Sequence, residues 1–183
     1  MKSFMDLVLT RQSTRKYSPQ PVPKDSLLKC LEAARLAPSA SNSQPWKFIV
    51  VDDPDKKDAL AKTTYDSVLS FNKFVSQAPA IVVITLEKEK AVTRVGRAVK
   101  KKEWRLMDVG IAAQHFCLQA QELGLGTCMI GWFYELKAKE LLNVPENISI
   151  ALMISVGYPP EGYRIRKKSR KPLEEIISYN KYA

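Results

Sequence analysis

Two short stretches near opposite ends of the chain hold the residues best suited to bind an anion. RQSTRKYSP (residues 11–19) contains three cations and four hydroxyls, and KKSRKP (residues 167–172) adds four more cations. Donors recur at every second position: Arg11, Ser13 and Arg15 in the first stretch, Lys168 and Arg170 in the second. Forked guanidinium and point-like ammonium donors at this spacing suit a phosphate group. The two stretches are either halves of one phosphate site or solvated charges on separate loops.

The overall charge widens the choice of anion. The 183 residues include 29 Lys+Arg against 19 Asp+Glu, a net charge of +10. Such a charge favours association with polyanions, so nucleic acid, an anionic membrane surface and a phosphorylated small molecule are all open. With 45% apolar residues, a chain of this length predicts one globular domain over residues 1–183.

The chain lacks side-chain patterns that do chemistry on their own, so no catalytic or metal-ligating residues are predicted. The single histidine, His115, lies in a helical stretch and is expected to be structural. HEXXH, zinc-spaced Cys/His pairs, GxSxG and a P-loop do not occur, and GLGTCMIG lacks the third glycine of a dinucleotide fingerprint. If the chain is an enzyme, a cofactor carries the reaction.

Cysteine usage and the N-terminal sequence predict a cytoplasmic protein. Cys30, Cys117 and Cys128 form no CxxC motif and lie in apolar stretches, which indicates buried free thiols in a reducing compartment. Residues 1–19 are interrupted by charges and lack the apolar core of a signal peptide. No run approaches the roughly 18 apolar residues that a membrane span needs.

Hydrophobic periodicity predicts helices and strands that interleave unevenly. Helices are expected at residues 23–38, 54–63, 102–126 and 135–145, and strands at residues 46–51, 78–86, 126–133 and 148–160. The β-branched run at residues 78–86 indicates a strand buried on both faces. The pattern predicts an α+β fold with a mixed, mainly antiparallel sheet of four to five strands flanked by helices.

Two segments are more apolar than a monomer surface requires. Residues 109–123 carry one charge, Glu122, which places this helix either at the centre of the domain or in a dimer interface. The tail PLEEIISYN (residues 172–180) carries apolar residues that are expected to pack against another surface. Residues 87–103, by contrast, are charged, free of aromatics and offer no substrate cage. Their lysine-rich part, residues 94–102, is predicted to be a solvated or flexible loop.

The segment APSASNSQPWKFIVV (residues 37–51) resembles the flavin-binding segment of the nitroreductase family, the FMN-dependent NAD(P)H oxidoreductases. The family pattern has a basic RxS[TI]RxF/Y stretch, a helix ending in AxxAPSxxNxQPW, and a strand. This chain reads RQSTRKY, EAARLAPSASNSQPW and KFIVV in that order, and GLGTCMIG and ISVGYP before KKSRKPLEE also match. The resemblance covers nearly the whole chain. It implies a nitroreductase-like fold, FMN as cofactor and an intertwined homodimer with flavin sites at the subunit interface.

The resemblance also assigns residues to the cofactor site. The set is Arg11, Gln12, Ser13, Arg15, Pro38, Ser39, Ser41, Asn42, Gln44, Ile130, Gly131, Lys168 and Arg170. Its basic members would hold the phosphate and ribityl end, with Arg15 near the N1–O2 edge, where a cation stabilises the reduced flavin. Residues 38–42 would come from the partner subunit, Gln44 would lie near the ring or the substrate, and residues 130–131 would meet flavin N5. Asn72 is left out because its spacing to the next strand does not match cleanly.

The reaction that the resemblance implies is ping-pong. NAD(P)H passes a hydride to flavin N5 and leaves, and an electron-poor acceptor such as a nitroaromatic or a quinone then takes two electrons at the same face. Dehalogenation, enone reduction or flavin destruction on the same platform stay open, as does the choice between NADH and NADPH. A non-catalytic anion or nucleic-acid binder is the alternative from another class. Single-strand binding calls for aromatics among the cations, which residues 94–102 lack, so neither nucleic acid nor membrane is the expected partner.

Overall fold

The structure, a computed structural model, describes residues 3–88 and 91–182, apart from the side chains of Val92, Arg94, Arg97 and Ala98. The helices are α1 (Phe4–Thr10), α2 (Lys24–Arg35), α3 (Pro54–Ala61), α4 (Ala91–Lys100), α5 (Trp104–Glu122) and α6 (Glu135–Leu142). The strands are β1 (Trp46–Val51), β2 (Ala80–Leu86), β3 (Gly126–Ile130) and β4 (Ser149–Gly157). Short 3₁₀ turns lie at Ala40–Asn42, Lys62–Thr64, Lys73–Gln77 and Leu173–Glu175.

The strands form an antiparallel sheet in the order β1-β2-β4-β3. Trp46 at the start of β1 lies opposite Leu86 at the end of β2, and β4 pairs with the other side of β2. A parallel bridge between Ser13 and Thr127 continues the sheet beyond β3. The predicted α+β fold with a mainly antiparallel sheet flanked by helices is confirmed, with four strands and the bridge as its parallel part.

β2 occupies the centre of the sheet because it is apolar on both faces, as its sequence predicts. One face packs against α2 and α5, where Phe116 is fully buried, and the other packs against α3 and α6, where Leu60 and Ala138 are fully buried. His115 belongs to the packing of α5 on α2, since its Nδ1 lies 3.2 Å from the backbone oxygen of Ala33. This is the placement expected of a structural histidine.

The long apolar helix is α5, and it ends at Glu122, four residues before the predicted bound at residue 126. Gly124 follows the C-cap residue Leu123 with a φ of +77°, a left-handed conformation that glycine adopts without strain. Three large apolar side chains of α5 stay exposed: Leu106, Met107 and Ile111. α5 therefore carries an apolar surface that a single chain leaves unpaired. Neither α5 nor another of the described helices is long and apolar enough to cross a membrane.

α1 is a helix in a stretch for which the sequence analysis predicts no element. It starts with a capping box, in which Asp6 N donates to the Ser3 hydroxyl at 3.1 Å and Ser3 N donates to the Asp6 carboxylate at 3.0 Å. None of its residues is buried, and Phe4 is 67% exposed. The local cap therefore defines α1, and its apolar side chains face outward in a single chain.

The predicted loop at residues 94–102 is wrong, because α4 occupies most of this span. α4 is followed by Lys101 in a left-handed conformation with a φ of 51°, while Glu89 and Lys90 lie outside the described residues. Apolar residues of α4 recur every four positions: Ala91, Val95 and Val99. The stripe is not buried within one chain, since Val95 and Val99 are 62% and 69% exposed. The physical reason for a helix here is the absence of proline together with the high helix propensity of Ala, Arg and Lys.

The C-terminal tail does not bury its apolar residues in a single chain. Its exposed large apolar side chains are Leu173, Ile176, Ile177, Tyr179 and Tyr182. The expectation that the tail packs on something is therefore not met within one chain. The tail shares this property with α1 and with one face of α5.

The three cysteines are buried free thiols, as predicted. Burial raises the pKa of Cys30 to about 12 and that of Cys117 to about 11. Burial also raises the pKa of Cys128, although Arg15 and a hydrogen bond from Ser13 oppose the shift. Cys128 lies on β3, which makes it the thiol beside the basic N-terminal stretch.

Candidate functional site

The basic N-terminal stretch lies extended along the edge of β3. Thr14 N donates to the backbone oxygen of Thr127 at 2.8 Å. This close approach requires Gly126, since a Cβ there would lie 2.5 Å from Thr14 Oγ1. Because alternate side chains of an extended chain point to opposite sides, the odd-numbered residues from Arg11 to Arg15 are placed opposite the buried Thr14.

Tyr17 fixes the end of this stretch to the sheet. Its hydroxyl oxygen lies 2.9 Å from Thr14 O and 2.8 Å from the Ser155 hydroxyl, and its ring is buried. Gly157 leaves room for the ring, since a Cβ there would lie 3.0 Å from Tyr17 and 2.4 Å from Pro79. Burial raises the pKa of Tyr17 above its ordinary value, so Tyr17 stays a neutral hydrogen-bonding group at physiological pH.

The C-terminal basic stretch returns to the N-terminal one and pairs with it. The Gln12 side chain accepts from Arg166 N at 3.0 Å and donates to Arg164 O at 3.1 Å. The Arg166 guanidinium donates to Ser13 O at 2.6 Å. Lys168 Nζ donates to backbone oxygens of α1 at 2.9 and 2.5 Å. These bonds hold the two stretches side by side.

The paired stretches surround a cavity of about 260 Å³. Its lining, called the basic cluster below, consists of Arg11, Gln12, Ser13, Arg166, Lys167, Lys168, Ser169 and Arg170. None of these residues is acidic. The two basic stretches, which the sequence offers as halves of one phosphate site, therefore line the same cavity.

The basic cluster is electrostatically poised for an anion. Loss of hydration, followed by the charges of Arg11 and Arg170, lowers the pKa of Lys168. The Arg11 Nε is buried and finds no hydrogen-bond acceptor among the described residues. A phosphate would compensate the crowded positive charge and supply an acceptor for the buried donor. The donor types and their arrangement therefore match phosphate binding.

Arg15 leads from the basic cluster toward the end of β3. Its backbone nitrogen donates to the Tyr163 hydroxyl at 3.1 Å, and its guanidinium carbon lies 6.0 Å from the centre of the Phe74 ring. Asn72, which is buried two positions before Phe74, donates its side-chain amide to Trp132 O at 3.3 Å. These contacts connect Arg15 to the loop that follows β3.

β3 ends where a backbone contact to flavin N5 is predicted. Ile130 is buried and Gly131 is exposed. A Cβ on Gly131 would meet no described atom within 4 Å, so the space before this backbone is open. Asn72 borders the same space through its bond to Trp132, although its spacing in the sequence kept it out of the predicted set.

The loop of residues 38–44 has a strained backbone. Ser41, Asn42 and Gln44 have φ values of 51°, 49° and 48°, in the left-handed region that residues with a Cβ rarely adopt. Gln44 N donates to the Ser39 hydroxyl at 2.9 Å, and the Gln44 side chain donates to Asn42 Oδ1 at 3.0 Å. Strain of this kind concentrates at ligand-binding segments, which supports a binding role for the loop.

α5 and α4 hold this loop in place. Ala40 N donates to the carboxylate of Asp108, with both oxygens at 3.2 Å, and Asp108 is buried on α5. The Ser43 hydroxyl lies 2.7 Å from the hydroxyl of Thr93, which is buried on α4. α4, which covers most of the span predicted as a loop, therefore supports part of the candidate site through Thr93.

A single chain does not bring the loop and the basic cluster together. Asp108 fixes the loop near the start of α5, whereas the basic cluster lies near its end, where Gln121 donates to Thr10 at 3.3 Å. At a rise of about 1.5 Å per residue, the two contacts are roughly 20 Å apart. They also belong to opposite edges of the sheet, because the loop leads into β1 and the basic stretch pairs with β3.

Three supporting residues escape reasoning from the sequence. Arg166 extends the alternation of Lys168 and Arg170 by one step, so that periodicity could have revealed it. Asp108 could have been noticed as an acid directly before an apolar run. Tyr163 has no comparable signal, because only the fold brings its hydroxyl to the N-terminal stretch.

Comparison with known proteins identifies the family. A sequence model of the nitroreductase family matches residues 8–73 and 62–158. The chain is 28% identical over 196 residues to an NADH dehydrogenase of Thermus thermophilus, with 92% of each chain covered. It is 26% identical over 203 residues to an iodotyrosine deiodinase of Thermotoga neapolitana, with 100% of each covered.

A solved structure agrees with these matches. The chain is 31% identical to an FMN-dependent nitroreductase of Clostridium difficile, with 98% of this chain and 100% of the other covered and a TM-score of 0.79. The family match spans most of the chain and includes the basic N-terminal stretch, the loop and β3. The chain belongs to the nitroreductase family, as its motifs predict.

Proposed function

We propose that this chain is an FMN-dependent NAD(P)H oxidoreductase that reduces an electron-poor acceptor such as a nitroaromatic or a quinone. The enzyme class and the cofactor follow from the family and from the relative named as an FMN-dependent nitroreductase. NAD(P)H and the acceptor would use one face of the site in turn. The observation that carries the assignment is the meeting of both basic stretches around one cavity.

The basic cluster fits the phosphate group of FMN. Its lining has five cations and no carboxylate, and the buried Arg11 Nε needs an acceptor. Arg11, Ser13, Lys168 and Arg170 would bind the phosphate directly, while Gln12 would mainly hold the two stretches together. Arg166, like Gln12, would hold the two stretches together, because its guanidinium donates to the backbone oxygen of Ser13.

The residues beyond the cluster suit the ring end of the cofactor. FMN, when bound, accepts two electrons from NAD(P)H and supplies them to the acceptor. Arg15 would place a cation where negative charge develops on the ring, which favours reduction. The open space before Gly131 lets backbone approach a flat ring closely. The chain's own task is to bind and orient, so the mechanism does not draw on His115 as an acid or base.

A complete site would need a second copy of the chain. The loop of residues 38–44 lies roughly 20 Å along α5 from the basic cluster, so the loop of a partner subunit is the one that would cover the cofactor. Its contacts would come from Pro38, Ser39, Ser41, Asn42 and Gln44. α1, α5 and the tail each expose apolar side chains in a single chain, which gives a homodimer surface to bury.

The first test is a visible absorption spectrum of the purified protein, recorded before and after anaerobic addition of NADH or NADPH. Flavin bands that bleach are expected, and the faster donor identifies the preferred nucleotide. Sedimentation of the same sample should give the mass of two chains. A protein that stays colourless after incubation with FMN would contradict the proposal.

Reductive dehalogenation is the second candidate, because a relative named as a deiodinase matches this chain over its whole length. The same cofactor site would serve, and only the acceptor would change. Release of iodide from iodotyrosine by the reduced protein, compared with turnover of nitrofurazone and a naphthoquinone, separates the two functions. We expect the nitro compound and the quinone to be the faster acceptors.

A further inference from the structure

Three aromatic side chains form a row on the surface directly after Gly131. The ring centres of Phe71 and Trp132 are 5.6 Å apart at an interplanar angle of 59°, and those of Trp132 and Tyr134 are 5.2 Å apart at 67°. We call this row the aromatic ladder. The first pair is tilted and the second meets edge to face. Phe71 is 58% exposed and Tyr134 is 37% exposed, so both still present surface to solvent.

Tyr134 starts α6 without capping it. It is the N-cap residue of α6, a position favouring Ser, Thr, Asp or Asn, and its side chain makes no capping bond. Its hydroxyl instead donates to Asp66, and this bond is the main reason that the pKa of Asp66 is lowered. The Tyr134 side chain is therefore used for contacts outside the helix start, with Asp66 and with the ring of Trp132.

The Tyr134 end of the ladder is held in place. Asp66, which receives the Tyr134 hydroxyl, also accepts from the backbone nitrogens of Val68 and Leu69 at 2.6 Å each. Lys137 Nζ lies 5.1 Å from the centre of the Tyr134 ring. Rings fixed in advance lose little conformational entropy when a ligand binds to them.

The ladder borders the candidate flavin site. Trp132 follows Gly131 directly, and its backbone oxygen accepts from Asn72. In the sequence, Asn72 directly follows Phe71 of the ladder and precedes Phe74 by two positions. The Arg15 guanidinium lies over the ring of Phe74. The middle ring of the row, Trp132, therefore belongs to the residue that directly follows the predicted N5 position, with Phe71 and Tyr134 on either side of it.

We propose that Phe71, Trp132 and Tyr134 form a subsite that binds the ring of a planar, electron-poor aromatic acceptor beside the flavin. This inference rests on the proposed function and names the acceptor class. Indole and phenol rings present negative faces, which attract the positive face of a nitro-substituted or quinonoid ring. Asp66 and Lys137 place a carboxylate and an ammonium group beside the Tyr134 end of the row.

The test compares Trp132→Leu and Phe71→Leu with the parent protein in two assays. In turnover, the KM for nitrofurazone should rise about tenfold with little change in kcat, the size expected for one lost stacking contact. The rate with ferricyanide, which has no ring to stack, should not change. Leu136→Ala removes another exposed apolar side chain, on α6, and should leave both acceptors unaffected. Trp132→Phe should restore most of the affinity.

The second assay does not depend on turnover. Equilibrium dialysis of nitrofurazone against the oxidised protein, without donor, should show weaker binding to both leucine variants. Failure of the proposed function would appear separately, as a protein that binds no FMN or that NAD(P)H does not reduce. Unchanged nitrofurazone affinity overturns the inference. So does a selective loss of NADPH affinity, which would assign the ladder to the donor, or dissociation of the dimer, which would make it a packing surface.

Discussion

The basic cluster and the loop of residues 38–44 are assembled in opposite ways. The cluster is formed within one chain, by hydrogen bonds between its two ends. The loop is strained, is held by α4 and α5, and lies far from the cluster of its own chain. We therefore expect phosphate affinity to be a property of each chain and the covering of the ring to be a property of the dimer.

The largest effect is expected from Arg11→Ala. It removes a charge-assisted bond worth about 1.5–3 kcal/mol, so the Kd for FMN should rise by roughly 10- to 150-fold. Titration of the apoprotein with FMN, followed by flavin fluorescence, measures this value. Lys16→Ala is the matched control, because Lys16 is an exposed cation of the same stretch but lies outside the cavity lining. An equal loss of FMN affinity in both variants would show that the cluster attracts FMN only through its overall positive charge.

A mixed dimer tests whether the loop acts on the partner's site. Asp108→Asn removes the charge that holds Ala40 and should lower kcat/KM about tenfold while FMN stays bound. In a dimer of one Arg11→Ala chain and one Asp108→Asn chain, a loop acting in trans leaves one of the two sites with neither substitution. About half of the parent activity should therefore return. Activity no higher than in either variant would show that each loop serves its own chain.

Tyr17→Phe should have a smaller effect, mainly on stability. Loss of the hydroxyl leaves Ser155 and Thr14 O without this partner, so the free energy of unfolding should fall by about 1–2 kcal/mol. The folded pKa of Tyr17 is raised, so its neutral form is favoured by folding. The advantage of the parent over the variant is therefore full below pH 10 and shrinks above it.

Urea denaturation of both proteins at pH 7 and above pH 10 measures this difference. Tyr182→Phe, at a fully exposed tyrosine, is the control and should show no difference at either pH. A parent–variant gap that is independent of pH would mean that the Tyr17 hydroxyl is not buried as described.

The smallest effect is expected from Thr93→Val. The change removes the bond between α4 and Ser43 and should lower the free energy of unfolding by about 0.5–1.5 kcal/mol. A double-mutant cycle with Ser43→Ala, measured by thermal unfolding, isolates the pair. Strictly additive losses would show that the two hydroxyls do not support each other.

Local signals were enough to predict much of the fold. The β-branched run of β2 and the apolar length of α5 with Gly124 at its end needed no tertiary information. α4 was not predicted because its cations favoured a solvated loop over the helical spacing of Val95 and Val99. α1 was not predicted, although the capping-box residues Ser3 and Asp6 mark its start in the sequence.

The candidate site was predictable in composition but not in assembly. The alternation of Arg11, Ser13 and Arg15 indicated phosphate chemistry, and the two basic stretches do meet. Their meeting depends on Thr14 fitting against Gly126, a contact between distant residues that spacing cannot reveal. The aromatic ladder was likewise invisible, since Phe71 and Trp132 are separated by 61 positions and only folding makes them neighbours.

The buried thiols have a consequence for the chemical durability of the protein. Oxidants attack the thiolate, and each unit by which the pKa rises lowers the thiolate fraction about tenfold at neutral pH. Cys128 lies directly behind the basic stretch, next to a site proposed to carry electrons, yet burial keeps its thiol protonated. Cys30 and Cys117, with pKa values of about 12 and about 11, are still less reactive. The three thiols are therefore poor targets for oxidants at neutral pH, although Cys128 lies beside a site proposed to carry electrons.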